Sequence, residues 1–241
     1  MKRFAHLLKS HLSTVLAINS LFAVFCLPWA AWTVICQCFS ALLIGDNKPV
    51  QGAFTLWCAG NLPCFVLLAV GLALVTRCCV DLYYSDSGNI RASVSKGKSN
   101  IGKYVILAVL LWLSSSLAVL TVVWAPKINL PSVAVVAIIA ATLLQFVVVL
   151  GWTFLCAVQN LFYTDKTSDV AANGIKILFT KPLTVVGCAL LALLPFAVAV
   201  LLPFVGQLIC WTAVLVLLPV VLVLVVVVNY KKIFDRLTET S

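Results

Sequence analysis

Long apolar stretches separated by short polar segments dominate the chain. A helix that crosses about 30 Å of hydrocarbon at about 1.5 Å per residue needs roughly 20 apolar residues. Stretches of that kind fall at approximately 12–35, 55–76, 104–124, 133–155, 183–202 and 205–228. The pattern predicts an all-α, polytopic membrane protein whose six transmembrane helices form a single transmembrane domain over residues 1–241.

Two stretches depart from a simple crossing. Apolar residues continue from 12 to 44, which is longer than one span requires, and Pro28 is expected to break the helix. Residues 29–44 then either prolong a tilted helix or turn along the outer interface.

Between the fourth and fifth spans, the polar residues recur at helical spacing on one stripe, with Ser168 as an N-cap: Asp169, Asn173, Lys176 and Thr180. This segment is either a short amphipathic helix on the inner membrane surface or an overshoot of the fourth span.

A short motif occurs twice, 79 residues apart. The sequence DLYYSD at 81–86 is echoed by NLFYTD at 160–165, and each copy follows a span that runs inward. One interpretation is a weak parallel repeat in which spans two and three match spans four and five. The other is that inner span ends in general favour aromatic residues followed by a polar helix stop.

Composition excludes the soluble classes of protein. Hydrophobic residues make up 63% of the chain and charged residues 10%, which leaves too little polar surface for a soluble globule. The net charge of +9 favours anionic lipid headgroups over nucleic acid, because no basic helix or alternation of basic with aromatic residues is present. The expected environment is the lipid bilayer.

The distribution of basic residues predicts the orientation. The longest polar segment, 77–104, contains five of them: Arg77, Arg91, Lys96, Lys98 and Lys103. If this segment is inside, only Lys48 and Lys127 among the lysines and arginines fall outside. Basic residues are retained on the cytoplasmic side, so both termini are predicted to be cytoplasmic.

The predicted spans lack the groups that most catalysis requires. They contain no Asp, Glu, Lys, Arg or His away from their ends, and the only histidines are His6 and His11. A nucleophile would need a neighbouring base, and an intramembrane carrier of protons or metals would need an ionisable ligand at depth. No enzyme, cofactor or metal site is predicted. The cysteines are expected to act as small hydrophobic residues, with a disulfide from Cys36 or Cys38 to Cys58 as a residual alternative.

Neutral polar residues remain as candidate intramembrane sites: Asn19, Asn61, Ser115 and Gln145. Such groups usually bond one helix to another, although they also suit a pathway for a neutral, hydroxylated solute. The cytoplasmic polar segments 81–103 and 165–181 are the candidate docking sites for a partner protein, through Arg91, Lys96, Lys98, Lys103, Asp169, Asn173 and Lys176.

The segment NSLFAVFCLP at 19–28 resembles the YesL-like family of bacterial membrane proteins, whose first span carries Asn followed nine residues later by Pro. Further similarity lies at Phe54, Trp57 and Asn61, at NLFY (160–163) and at NGIK (173–176). The resemblance implies a multi-pass protein of the bacterial inner membrane, of unknown biochemical activity and often encoded near carbohydrate uptake systems. The predicted role is therefore a non-enzymatic accessory to a carbohydrate transport system, with a sugar permease as partner; the alternative is a facilitative transporter or channel for a neutral solute.

Overall fold

The computed structural model describes residues 6, 9–44, 50–163, 166–201, 206 and 219–238. Within them the chain forms helices and no strand. The helices are α1 (Leu12–Ile44), α2 (Val50–Ser85), α3 (Ile90–Gly97), α4 (Ile101–Trp124), α5 (Ser132–Phe162), α6 (Thr167–Thr180), α7 (Pro182–Leu201) and α8 (Pro219–Thr238). One 3₁₀ turn, Lys98–Asn100, joins α3 to α4, and another, Ala125–Lys127, follows α4.

Several of these helices are long and apolar enough to cross a membrane, which indicates a multi-pass membrane protein. Four segments qualify singly: Leu12–Cys36, Phe54–Ser85, Ile90–Lys127 and Ser132–Phe162. A fifth crossing is obtained if the bent pair formed by α6 and the start of α7 counts as one span. The predicted sixth span at 205–228 lies mostly outside the described residues, so the number six stays a prediction.

Helix α1 runs without interruption through Pro28, and the prediction of a break at this residue was wrong. Proline removes one backbone donor, but a membrane helix tolerates it when the freed groups find other partners. One turn further on, the Thr33 hydroxyl donates to Trp29 O at 2.9 Å. Residues 29–44 therefore prolong the first helix, and the alternative of a turn along the outer interface does not hold.

Helix α2 is the centre of the bundle. One face of it packs with Val15 and Ile18 of α1 and with Val220 of α8 in a buried apolar cluster. Another face packs against α4, where the Tyr104 hydroxyl lies 3.1 Å from the Thr76 hydroxyl and donates to Ala157 O of α5 at 3.1 Å. Tyr104 thus ties three helices together with one buried oxygen.

The segment between α5 and α7 is a helix of its own. Helix α5 ends at Phe162 and α6 begins at Thr167, so the interpretation as an overshoot of the fourth span was wrong and the separate amphipathic helix is confirmed. The predicted N-cap at Ser168 was also wrong, because Lys166 occupies that position and the Ser168 hydroxyl donates to Asp169 Oδ1 at 3.3 Å.

Cys36 and Cys58 are free and buried, so the residual prediction of a disulfide between Cys58 and either Cys36 or Cys38 was wrong. Most of the described cysteines lie in apolar contacts, as small hydrophobic residues do.

Candidate functional site: the charged end of the bundle

The charged groups concentrate where α2 and α5 end, a region here called the charged end and formed by residues 77–103, 156–163, 166–181 and 229–238. Asp81 is its central group, because this carboxylate is only 8% exposed. The Ser93 hydroxyl donates to Asp81 Oδ2 at 2.7 Å, and Arg77 Nη2 lies 3.1 Å from Asp81 Oδ1. The exposed Lys96 ammonium approaches Oδ2 at 3.9 Å. A buried carboxylate is tolerated when it is paired and hydrogen-bonded in this way.

Local sequence explains how these groups meet. Arg77 and Asp81 are four residues apart and therefore lie on the same side of α2. The chain then turns at Asp86, a residue type that tolerates its left-handed φ of 52°. Asn89 begins α3 by accepting a hydrogen bond from Ala92 N at 3.2 Å. Helix α3 consequently returns along α2 and delivers Ser93 to the carboxylate.

Glycine allows the two helices to approach. A Cβ atom at Gly97 would lie 3.0 Å from Ala73 O and 3.2 Å from Leu74 Cα, both of which are backbone atoms that do not move aside. The same arrangement occurs at the other short helix, where a Cβ atom at Gly174 would lie 2.9 Å from Trp152 Nε1 and 3.0 Å from Cys156 Sγ.

Helix α5 joins the same region through its carboxyl end. Arg77 Nη1 donates to Leu161 O at 3.5 Å, so one guanidinium contacts the ends of both long helices. Asn160 is buried, and its Oδ1, like Arg77 Nε, has no hydrogen-bond partner within the part of the chain that the structure describes. Buried polar atoms of this kind are normally satisfied by water or by a bound group.

The two copies of the echoed motif meet in an aromatic cluster. Tyr84 of the first copy packs edge-on against Phe162 of the second, with ring centroids 5.7 Å apart. Lys231 of α8 places its ammonium 5.5 Å from the Phe162 centroid and 5.9 Å from the Tyr84 centroid. Its hydrogen bond to Asp235, at 2.8 Å, raises the pKa of Lys231, while burial acts in the opposite direction. The charged end is therefore built from α2, α5 and α8 together.

The predicted docking residues fall into two groups, one on each short helix. Arg91, Lys96 and Lys98 are exposed on or beside α3, and Lys103 is half-buried at the start of α4. Asp169 and Lys176 are exposed on α6, and Asn173 is half-buried. Of the α3 group, Lys96 is engaged with Asp81, so Arg91 and Lys98 are the residues available to a partner.

Most of the predicted intramembrane polar residues bond within the bundle. Asn19 Oδ1 accepts a hydrogen bond from Val220 N of α8 at 3.0 Å. Gln145 Nε2 donates to the Ser114 hydroxyl at 3.0 Å, and Ser115 donates to Trp112 O at 3.0 Å. The Asn19 and Gln145 bonds join different helices and support the interpretation of helix packing, whereas the Ser115 bond lies within α4.

Asn61 is different, since it is 1% exposed and neither its amide oxygen nor its amide nitrogen has a hydrogen-bond partner among the described residues. An unsatisfied buried amide in lipid costs free energy, so this position is one where water or a small polar ligand would be stabilised.

The sequence analysis did not single out the Asp81 cluster. The spacing of Arg77 and Asp81 was a usable signal, but Ser93 lies on a different helix and no local pattern connects it to Asp81. Within the described residues, no group of three or more His, Cys, Asp and Glu side chains is placed to hold a metal ion. The arrangement of charges is that of a structural clamp, with exposed basic groups around it.

Comparison of the chain with profiles of known protein families, with curated proteins and with solved structures finds no match. The resemblance to the YesL-like family accordingly stays a prediction from the quoted motifs.

Proposed function

We propose that this protein is a non-enzymatic accessory of the bacterial inner membrane that holds a partner, a component of a carbohydrate transport system, against the charged end of its bundle. The observation that carries the proposal is the Asp81 clamp, which fixes α3 on α2 and so presents Arg91 and Lys98 on an ordered surface. Polar groups in the spans that bond to each other, such as Gln145 with Ser114, fit a structural bundle better than an open pathway. The carbohydrate assignment itself rests on the family resemblance.

The proposed topology has six spans with both termini in the cytoplasm, which makes the charged end the cytoplasmic one. Its support is the distribution of lysine and arginine, of which only Lys48 and Lys127 fall on the opposite side. Aromatic residues at the charged end, among them the exposed Tyr84 and the half-buried Tyr163, fit the belt that lies at a membrane interface.

The proposal includes a parallel repeat in which the unit α2, α3 and α4 corresponds to the unit α5, α6 and α7. Aligning the echoed motifs, 79 residues apart, matches Ala73 and Arg77 of α2 with Trp152 and Cys156 of α5. Those are the positions against which Gly97 and Gly174 pack. The two units differ in how the short helix joins the following long helix. Helix α3 continues into α4 within one segment, whereas α6 and α7 meet at 101°.

The test of the accessory role is capture of the partner. The full-length protein, purified from its native membrane in a mild detergent, is expected to retain a permease or a solute-binding component in near-stoichiometric amount, identified by mass spectrometry. The double variant Arg91→Gln/Lys98→Gln should lower that amount by up to about thirtyfold, since two exposed charge contacts are worth at most about 1 kcal/mol each.

Lys127→Gln is the matched control, because it removes one exposed charge from the opposite end of the bundle. It should leave the captured amount unchanged. Purification of the protein alone, or equal losses in the double variant and in the control, would contradict the accessory role.

A facilitative pathway for a neutral solute is the second candidate function, and Asn61 is the observation that favours it. If Asn61 serves only packing, Asn61→Leu should raise the free energy of unfolding by about 1–2 kcal/mol, because it removes an unsatisfied buried amide. If Asn61 lines a pathway, the same variant should abolish sugar or polyol flux in proteoliposomes that the unmodified protein supports. Absence of flux through the unmodified protein would eliminate this candidate.

A further inference from the structure

Helix α6 has three distinct faces. Val170, Gly174 and Ile177 form the buried face. Asp169, Asn173 and Lys176 form the polar face recognised in the sequence. The third face is apolar and exposed: Ile175 is 48% exposed and Phe179 is 77% exposed, and Leu183, in the first turn of α7, is 88% exposed. A helix surface of this kind in water would be unfavourable, so an apolar environment must cover it.

The contacts between α6 and α5 indicate the depth of α6 in the membrane. Trp152 Nε1 donates to Ala171 O at 3.3 Å, and Cys156 Sγ donates to Val170 O at 3.8 Å, so α6 crosses α5 near residues 152–156. This level coincides with the inner end of the fourth span, predicted at residue 155. Because α6 and α7 meet at 101°, a spanning α7 leaves α6 nearly parallel to the membrane plane.

Charge distinguishes a lipid from a protein as the occupant of this surface. Among the described residues on and beside α6, Lys166, Lys176, Lys181 and Asp169 are exposed. The sequence adds Asp165 next to Lys166, which leaves three lysines against two aspartates. Exposed apolar residues at interfacial depth, flanked by lysines, are the pattern of helices that lie on anionic membranes. A lysine near such a surface gains attraction from the phosphate groups, while Phe179 and Leu183 enter the acyl region.

We propose that α6 and the first turn of α7 form a binding surface for anionic phospholipid, with Phe179 and Leu183 inserted between acyl chains and Lys176 and Lys181 on the phosphate. The surface requires that the fourth span and α7 cross the membrane as the sequence predicts, but it does not depend on the accessory role. The exposed lysines of α3 lie on a separate helix and are not part of it.

The first test measures lipid binding to the full-length protein in a neutral detergent, by native mass spectrometry with added phosphatidylglycerol or phosphatidylcholine. Phosphatidylglycerol should bind more tightly, and the double variant Lys176→Gln/Lys181→Gln should weaken it by about fivefold for each lysine removed. Lys127→Gln is the control, because it removes an exposed lysine at the opposite end of the bundle, and it should have no effect. Equal affinity for the two lipids, or an equal effect of the control, overturns the proposal.

The second test identifies what covers Phe179 in membranes. Phe179→p-benzoylphenylalanine is introduced into the full-length protein, which is reconstituted in equimolar phosphatidylcholine and phosphatidylglycerol and irradiated. The side chain is exposed, so the substitution should not disturb folding. The expected product carries the mass of one phospholipid; a crosslink to a second copy, or no crosslink to lipid, overturns the proposal.

Discussion

Replacing Asp81 with alanine is expected to lower the free energy of unfolding by about 3–5 kcal/mol, the typical cost of removing one partner from a buried ion pair. The carboxylate is 8% exposed and accepts a hydrogen bond from Ser93. Without it, the Arg77 guanidinium and the Ser93 hydroxyl remain partly or fully buried with no charge to compensate them. The measurement is the unfolding transition in mixed micelles of increasing SDS content.

The double variant Arg77→Met/Asp81→Leu should be less destabilised than Asp81→Ala alone, because removal of both charges leaves no isolated one. Asp86→Asn is the matched control: this carboxylate is 65% exposed and pairs with His11 at 3.0 Å. An exposed pair contributes at most about 1 kcal/mol. Equal effects of Asp81→Ala and Asp86→Asn would show that the clamp has no structural role.

The substitution Gly71→Ala is expected to destabilise the packing of α1 against α2 by about 1–3 kcal/mol. A Cβ atom at this position would lie 2.5 Å from Phe25 Cβ and 2.7 Å from Phe25 Cγ. These atoms are next to the Phe25 backbone, so a change of side-chain rotamer does not relieve the clash and the helices must separate. The same SDS unfolding transition measures the effect.

Gly102→Ala provides a control of opposite sign, since no atom lies within 4 Å of a Cβ atom at this helical position. It should stabilise the protein by up to about 1 kcal/mol, the difference in helix propensity between glycine and alanine. In a Phe25→Gly background, which lacks the clashing Cβ atom, Gly71→Ala should destabilise the protein less than it does in the unmodified protein. If Gly71→Ala and Gly102→Ala stabilise the protein equally, the close approach at Gly71 does not exist.

The candidate site could be predicted only in part. Helix α6 was predicted through the spacing of Asp169, Asn173 and Lys176. The segment that contains α3 was predicted only as a polar segment, without a helix. The partner of Asp81 was not, because Ser93 is twelve residues away on another helix. Asn19 was recognised as a polar group in a span, but its partner, Val220 N, lies 201 residues further along the chain.

Local signals also failed where tertiary contacts compete with them. Pro28 usually ends a helix, yet α1 continues through it because the freed backbone groups in a membrane bundle find other partners. Ser168 is a favourable N-cap residue, but α6 begins two residues earlier than that position requires, and the hydroxyl bonds to Asp169 instead. Chemistry common to many helix ends therefore does not fix an individual boundary.

The sequence by itself determined that the chain is helical and apolar enough to cross a membrane several times. In lipid, backbone groups must be satisfied within the segment, so an apolar stretch of sufficient length has little choice but to form a helix. The tertiary structure alone decided which polar side chains meet, such as Asp81 with Ser93 and Asn19 with Val220. These contacts depend on the rotation of each helix about its axis and on the distance between helices. Side-chain packing between segments far apart in the sequence sets both, and no local periodicity encodes them.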